Sequence, residues 1–406
     1  MTPARATSSA ALEWKKRADR WCGTPLVLAR AALVRATGRH ATSPERARHV
    51  VVAKLWGIGN LAMVLPLIGA VRRRHPGARI TVLTLERNRP LLAGQPGIDA
   101  LVTLRDRGVA APLSDLWRAI RALRADPVDL FIDCEQFLRA SGLLAWGAGA
   151  RCVVGFDTPG QQRAALYDVT VPCRGDRHMA LGFAALFAAA GIPTEGVASH
   201  EVAIEPAAAR WVDTLLSPPP PRPWVVLHPG SGDNFPGRRW PVERFAALGR
   251  RIVAAHGGTL FLTGAGTERE LLEPLAAQLA ADAIQALRLD DRLDLPQLVA
   301  FLARADLLVA NDTGPVHLAA AVRTPVVAFY GPNSPRLYGP LGDGHRALYR
   351  PLPCSPCLTN QNGKSSRCEL PLCIRRIAVD EAWLAVAEVL ARRAAPPARV
   401  PAPPLR

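Results

Sequence analysis

From residue 49 onward the hydrophobic positions fall into short, nearly continuous runs, separated by longer stretches of helical spacing. Runs of that kind suit strands buried on both faces, and the stretches between them suit helices packed on a sheet. The run 49–55 predicts a first strand, a glycine-rich turn follows, and a helix reaches about residue 75. Strands are predicted at 79–85, 130–133 and 152–155, with a helix at 179–190. The segment 217–223 reads Ser-Pro-Pro-Pro-Pro-Arg-Pro. Proline lacks the N–H that a helix interior or central strand requires, so this segment is the predicted domain boundary. The pattern then restarts with strands at 224–227, 259–263, 307–310 and 325–330 and helices at 245–255, 268–281 and after 314. Two sets of strand–helix repeats predict an α/β protein of two domains, each a parallel sheet wrapped by helices.

The predicted organisation is a basic N-terminal extension at 1–48, a first domain at 49–216, a linker at 217–223 and a second domain at 224–375. A last helix at 376–392 is expected to cross back onto the first domain, and the Pro- and Arg-rich tail 393–406 is expected to be disordered.

Charge changes the picture. The chain carries 50 Lys and Arg against 34 Asp and Glu, a formal net charge of +16. Such an excess suits phosphate-bearing partners. Nucleic acid is set aside, because no recognition module is present and aromatic residues, at 6%, are too sparse for a stacking platform. The longest apolar run, 61–71, falls well short of the roughly 18 residues that cross a bilayer. Lys15, Lys16, Arg17 and Arg20 precede Trp21 and a helix start at Thr24-Pro25. That combination predicts a helix lying on a membrane surface rather than a cleaved signal.

In parallel sheets, ligands bind where strand ends meet helix starts. The segment Asn311-Asp312-Thr313-Gly314-Pro315-Val316-His317 has that form: Thr313 can cap a helix and Pro315 fits its first turn. Its free N–H groups favour an anion such as a diphosphate, with His317 as a further donor. A second loop, 228–241, brings Gly230, Ser231, Arg238 and Arg239; either arginine could clamp a phosphate. A third, Gly264-Ala265-Gly266-Thr267-Glu268, could hold a ribose or base through Glu268.

The order HPGS…RRWP, LTGAGTE, NDTGPVHLAAAVRTPVVAFYGP resembles the donor half of the ADP-heptose:lipopolysaccharide heptosyltransferases, glycosyltransferase family 9. The resemblance spans roughly residues 49 to 392 and is strongest between 224 and 333. It implies a GT-B architecture, two Rossmann-like domains with parallel sheets facing across a cleft. It implies an inverting, metal-independent transfer of a sugar, a heptose, from a nucleoside diphosphate, ADP, to a lipid-linked glycan acceptor such as the lipopolysaccharide core. It further implies a bacterial, cytoplasmic protein, peripheral on the inner face of the inner membrane and requiring no cofactor. By the same resemblance Arg238 takes the phosphate, Glu268 the ribose, Asp312 the sugar hydroxyls, and Thr313, Gly314 and His317 the diphosphate, with Gly230, Ser231 and Gly264 shaping the pocket.

One position departs from the family. The first turn usually reads Gly-Asp, the Asp being the base, but here it is Gly57-Ile58-Gly59-Asn60. An amide cannot accept that proton, so Asp133 and Glu135, at a strand end on the same sheet edge, are the candidate substitutes. Two other readings remain open. Loss of the base would leave a nucleotide-sugar or glycolipid binder. Gly57, Gly59 and Ala62 also fit a dinucleotide fingerprint with Glu86 ending the next strand, which would suit an NAD-dependent oxidoreductase. Finally, Cys354, Cys357, Cys368 and Cys373 have spacing suited to a structural zinc.

Overall fold

The computed structural model describes residues 19, 21, 23–30, 32, 42–105, 113–195, 202–232 and 235–394. Two six-stranded parallel sheets form the framework. The first has β1 (His49–Ala53), β2 (Arg79–Leu85), β3 (Ala100–Leu104), β4 (Leu130–Asp133), β5 (Cys152–Asp157) and β6 (Val169–Pro172), ordered β3-β2-β1-β4-β5-β6. The second has β7 (Trp224–His228), β8 (Thr259–Leu262), β9 (Leu287–Arg288), β10 (Leu307–Asn311), β11 (Val326–Tyr330) and β12 (Arg346–Tyr349), ordered β12-β11-β10-β7-β8-β9. Each half therefore has the doubly wound order, which reverses beside its first strand. Crevices open there, after β1 and β4 in one half and after β7 and β10 in the other. The two-Rossmann GT-B architecture expected from the sequence is the one observed.

Apolar continuity explains the central strands. Every residue of β1, β7, β8, β10 and β11 is buried. The helix Ile58–Arg74 runs through Pro66, yet stays buried along most of its length because it lies between the halves. It packs on the helix Gly314–Ala321 of the second half, and side chains of both belong to one continuous core. A further bridge is the helix Pro206–Leu215, which follows the first sheet but packs against the helix Leu295–Leu302 of the second. The last helix, Val379–Ala394, does not cross back as expected. It lies against the helix Val242–His256 and strands β11 and β12, burying Val386, Val389 and Leu390 in the second half's own core.

Described residues between 19 and 32 are helical and docked. Val27 is buried, Arg30 pairs with Asp168 at 3.5 Å, and the Asp19 carboxylate accepts from the backbone N–H groups of Arg139 and Ala140. A carboxylate there satisfies orphan donors at the start of the helix Ala140–Ala148. Trp21, 80% exposed, Leu26 and Leu28 face outward. Lys15, Lys16, Arg17, Arg20 and the tail from 395 lie outside the described residues. No helix among the described residues is long and apolar enough to cross a membrane.

Candidate active site

The two crevices meet where two helix starts abut. Gly59, in the turn after β1, lies directly on His317: a Cβ built there would stand 2.3 Å from the imidazole Cδ2. Gly314 approaches from the other side, its Cβ position 3.3 Å from Cβ of Ile58. Glycine at 59 thus permits a contact no other residue allows. The helices Ile58–Arg74 and Gly314–Ala321 present their N-terminal N–H groups to one region, a setting that favours an anion. Thr313 occupies the N-cap of the second helix, but its side chain makes no capping bond.

The loop after β7 is held rigidly. Asn311, the last residue of β10, accepts from the Trp240 N–H at 2.8 Å and donates to the Pro229 carbonyl at 2.7 Å. Trp240 is buried, stacked on Phe329 at 4.2 Å, and its indole donates to the Ile377 carbonyl. This anchor sets the arginines two and one residues before it. Arg238 donates to the Asp312 carbonyl at 3.0 Å and to the Ser231 carbonyl, and lies 3.7 Å from the Asp312 carboxylate. Arg239 turns to Ser231, Gly232 and Glu270 at the rim. Asp312 also accepts from Asn333 at 3.0 Å.

Glu268 is buried among backbone donors. Its carboxylate accepts from the backbone N–H groups of Ser231 and Gly232, both at 2.8 Å, and of Ala265 at 3.1 Å. A Cβ on Gly230 would strike it at 2.1 Å. Burial works against its ionisation, but neighbouring His228 and those N–H groups hold its carboxyl below the usual range. Glu268 ties the Gly264 turn to the 230–232 loop. His228 in turn meets Thr263 at 3.0 Å, and burial lowers its imidazole pKa.

On the first half's edge the carboxylates are locked inward. Asp133 is fully buried and accepts from Arg163 at 2.8 Å, Tyr167 at 2.7 Å, Ser141 at 2.8 Å and the Glu135 N–H at 3.0 Å. Burial raises its carboxyl pKa although the Arg163 guanidinium pulls the other way. Glu135 is also buried, and its Oε1 accepts from Lys54 at 2.9 Å and from the N–H groups of Leu55 and Trp56. These bonds shape the strand end and the turn that carries Asn60. Glu135 Oε2 has no hydrogen-bond partner among the described residues. Sequence reasoning missed Lys54, Arg163 and Asn333. Lys54 could have been noticed as one of only four lysines, set in an otherwise apolar strand end.

The zinc expectation is not supported. Among the described residues no group of three or more His, Cys, Asp or Glu comes together as metal ligands. Cys354 and Cys368 are exposed and Cys373 is buried, all as free thiols.

Comparison with known proteins agrees with this geometry. Residues 116–366 match glycosyltransferase family 9 (heptosyltransferase). Lipopolysaccharide heptosyltransferase 1 of Pseudomonas aeruginosa is 26% identical over 354 residues, covering 81% of this chain and 94% of that protein. Lipopolysaccharide heptosyltransferase 2 of Escherichia coli K12 is 25% identical over 309 residues, covering 74% and 87%. Among solved structures, a family 9 glycosyltransferase from Veillonella parvula superposes with a TM-score of 0.71 at 21% identity, over 87% of this chain and all of that one. The E. coli ADP-heptose heptosyltransferase II gives 0.68 at 21% identity, over 86% and 100%. With the matched pattern spanning more than half its length, this chain belongs to glycosyltransferase family 9, the heptosyltransferase family, and is a glycosyltransferase.

Proposed function

We propose that the protein transfers a heptose from ADP-heptose to a hydroxyl of a lipid-linked glycan, the lipopolysaccharide core, with inversion and without a metal. The observation that carries this reading is the meeting of two helix starts at Gly59 and His317, with Arg238 beside them. In a single displacement the leaving diphosphate gains negative charge, and preformed N–H groups and a guanidinium lower the barrier by holding it. Thr313, Gly314, His317 and Arg238 bind the diphosphate, and Asp312 orients the sugar's hydroxyls. Glu268 holds the pocket's loops, with Gly230, Ser231 and Gly264 forming its wall. Asn60 orients the acceptor. Asp133 and Glu135 are both buried structural carboxylates, the first taken up by four donors and the second by Lys54 and two backbone N–H groups, so the transfer proceeds without a positioned base. The curated relatives act on lipopolysaccharide by name, which supports the acceptor class.

The test is a transfer assay with ADP-heptose and lipopolysaccharide from a heptose-deficient strain, read by intact mass of the lipid. Gain of one heptose is expected. Binding of ADP with neither transfer nor hydrolysis would turn the protein into a binder. We further propose that the described helical residues between 19 and 32 rest on the membrane through Trp21, Leu26 and Leu28, on the cytoplasmic face of the inner membrane.

A further inference from the structure

The loop after β11, Gly331-Pro332-Asn333-Ser334, is buried throughout and gripped from two sides. On one side lies the segment that carries Cys354 and Cys357. The backbone N–H groups of Cys357 and Leu358 both donate to the Pro332 carbonyl, each at 2.9 Å. On the other side the short helix Leu372–Arg375 closes on Gly331, where a Cβ would stand 2.9 Å from Cys373 Sγ and 3.0 Å from Ile374 Cβ. The cysteine-bearing segments thus fix this loop, and with it the backbone that carries Asn333.

The Asn333 side chain has one hydrogen bond among the described residues. Its Nδ2 donates to Asp312 Oδ2 at 3.0 Å, while its Oδ1 is buried and accepts from nothing. A buried acceptor left open costs folding free energy. The amide is therefore held where it is for its bond to the carboxylate rather than for its own saturation. The backbone of Asp312 is already fixed: its N–H donates to the Phe329 carbonyl at 3.0 Å and its carbonyl accepts from Arg238 at 3.0 Å. What remains is rotation of the carboxylate, and Asn333 restrains it. Arg238 also lies 3.7 Å from Asp312 Oδ2. Both side-chain contacts fall on that oxygen, which leaves Oδ1 for a ligand.

We propose that Asn333 is a positioning residue for the donor sugar: it holds the Asp312 carboxylate in the orientation that leaves Oδ1 to accept from a sugar hydroxyl. The inference rests on the reading of Asp312 given above. A carboxylate oriented before the sugar arrives loses less rotational freedom on binding, so more of the contact appears as affinity. The side-chain bond of Asn333 goes to Asp312 and to none of Thr313, Gly314, His317 or Arg238, the groups proposed to hold the diphosphate. Asn333 therefore acts on the sugar's share of donor affinity and not on the nucleotide's.

The experiment is calorimetry of the full chain with ADP-heptose and, in parallel, with ADP. Asn333→Ala should weaken ADP-heptose binding about tenfold, the lower end of the range for a hydrogen bond to a charged group, with ADP affinity unchanged. Asn333→Asp keeps the shape of the side chain but sets a carboxylate against a carboxylate, and should lose at least as much. In an Asp312→Ala background, Asn333→Ala should change ADP-heptose affinity by less than about twofold, because residues acting as one unit are not additive. Four results each overturn the inference: native ADP-heptose affinity in Asn333→Ala, an equal loss of ADP affinity, native ADP-heptose affinity in Asn333→Asp, which would make the role one of filling space, or full additivity in the double variant. Wild-type protein that binds ADP but not ADP-heptose would overturn the donor reading itself, and the inference with it.

Discussion

The two halves share a strand order but use their crevices differently. In the second half, polar groups converge on the opening: Arg238 spans Ser231 and Asp312, and Asn311 pins the loop that carries it. In the first half, at the equivalent strand ends, polar groups converge on one another. Arg163, Tyr167 and Ser141 enclose Asp133, and Lys54 closes on Glu135. The same residue types thus line an open crevice in one half and build a closed frame in the other. A carboxylate at the carboxyl end of a parallel strand is therefore a weak sign of catalysis until its partners are known.

That contrast can be broken by mutation. Asp133→Ala leaves the buried Arg163 guanidinium without its carboxylate and should cost about 3–5 kcal/mol of stability, measured by urea unfolding. ADP affinity of the fraction that remains folded should be unchanged. Loss of ADP binding with native stability would reverse the roles assigned to the halves.

The opposite pattern is expected across the cleft. Arg238→Ala and His317→Ala should each weaken ADP binding about 10- to 150-fold through lost charge-assisted hydrogen bonds. If calorimetry returns native affinity for both, neither residue belongs to the donor site. The smallest effect belongs to the docked helix. Replacing both Trp21 and Leu28 with Ser should reduce co-sedimentation with anionic liposomes by about tenfold at most, given the apolar area involved, and leave ADP binding alone. Equal co-sedimentation would exclude a membrane role for that face.

How far the sequence could be read follows the same physical divide. The eight strands it revealed, β1, β2, β4, β5, β7, β8, β10 and β11, are the inner strands of the two sheets. The four it did not, β3, β6, β9 and β12, are the edges. Inner strands are apolar on both faces and announce themselves, whereas β6 and β9 are only half-buried and mix polar with apolar residues. At the site, backbone-driven features were legible. The helix start at 314 falls where the strand end and Pro315 placed it. What escaped was side-chain pairing over distance. Glu268 gripping the 231–232 loop and Arg163 neutralising Asp133 join residues 37 and 30 positions apart, and no local pattern records such choices.

The central claim is that the first half's turn supplies geometry while the second half supplies the chemistry of departure. Single-turnover transfer rates for Asn60→Ala and Asn60→Asp test it most directly. Asn60→Ala should lose less than about tenfold, because an amide takes no proton, and Asn60→Asp should gain part of the roughly 10²–10⁴-fold that a positioned base contributes. A loss beyond about 10³-fold in Asn60→Ala, at unchanged ADP affinity, would contradict the account and make Asn60 itself indispensable to the reaction.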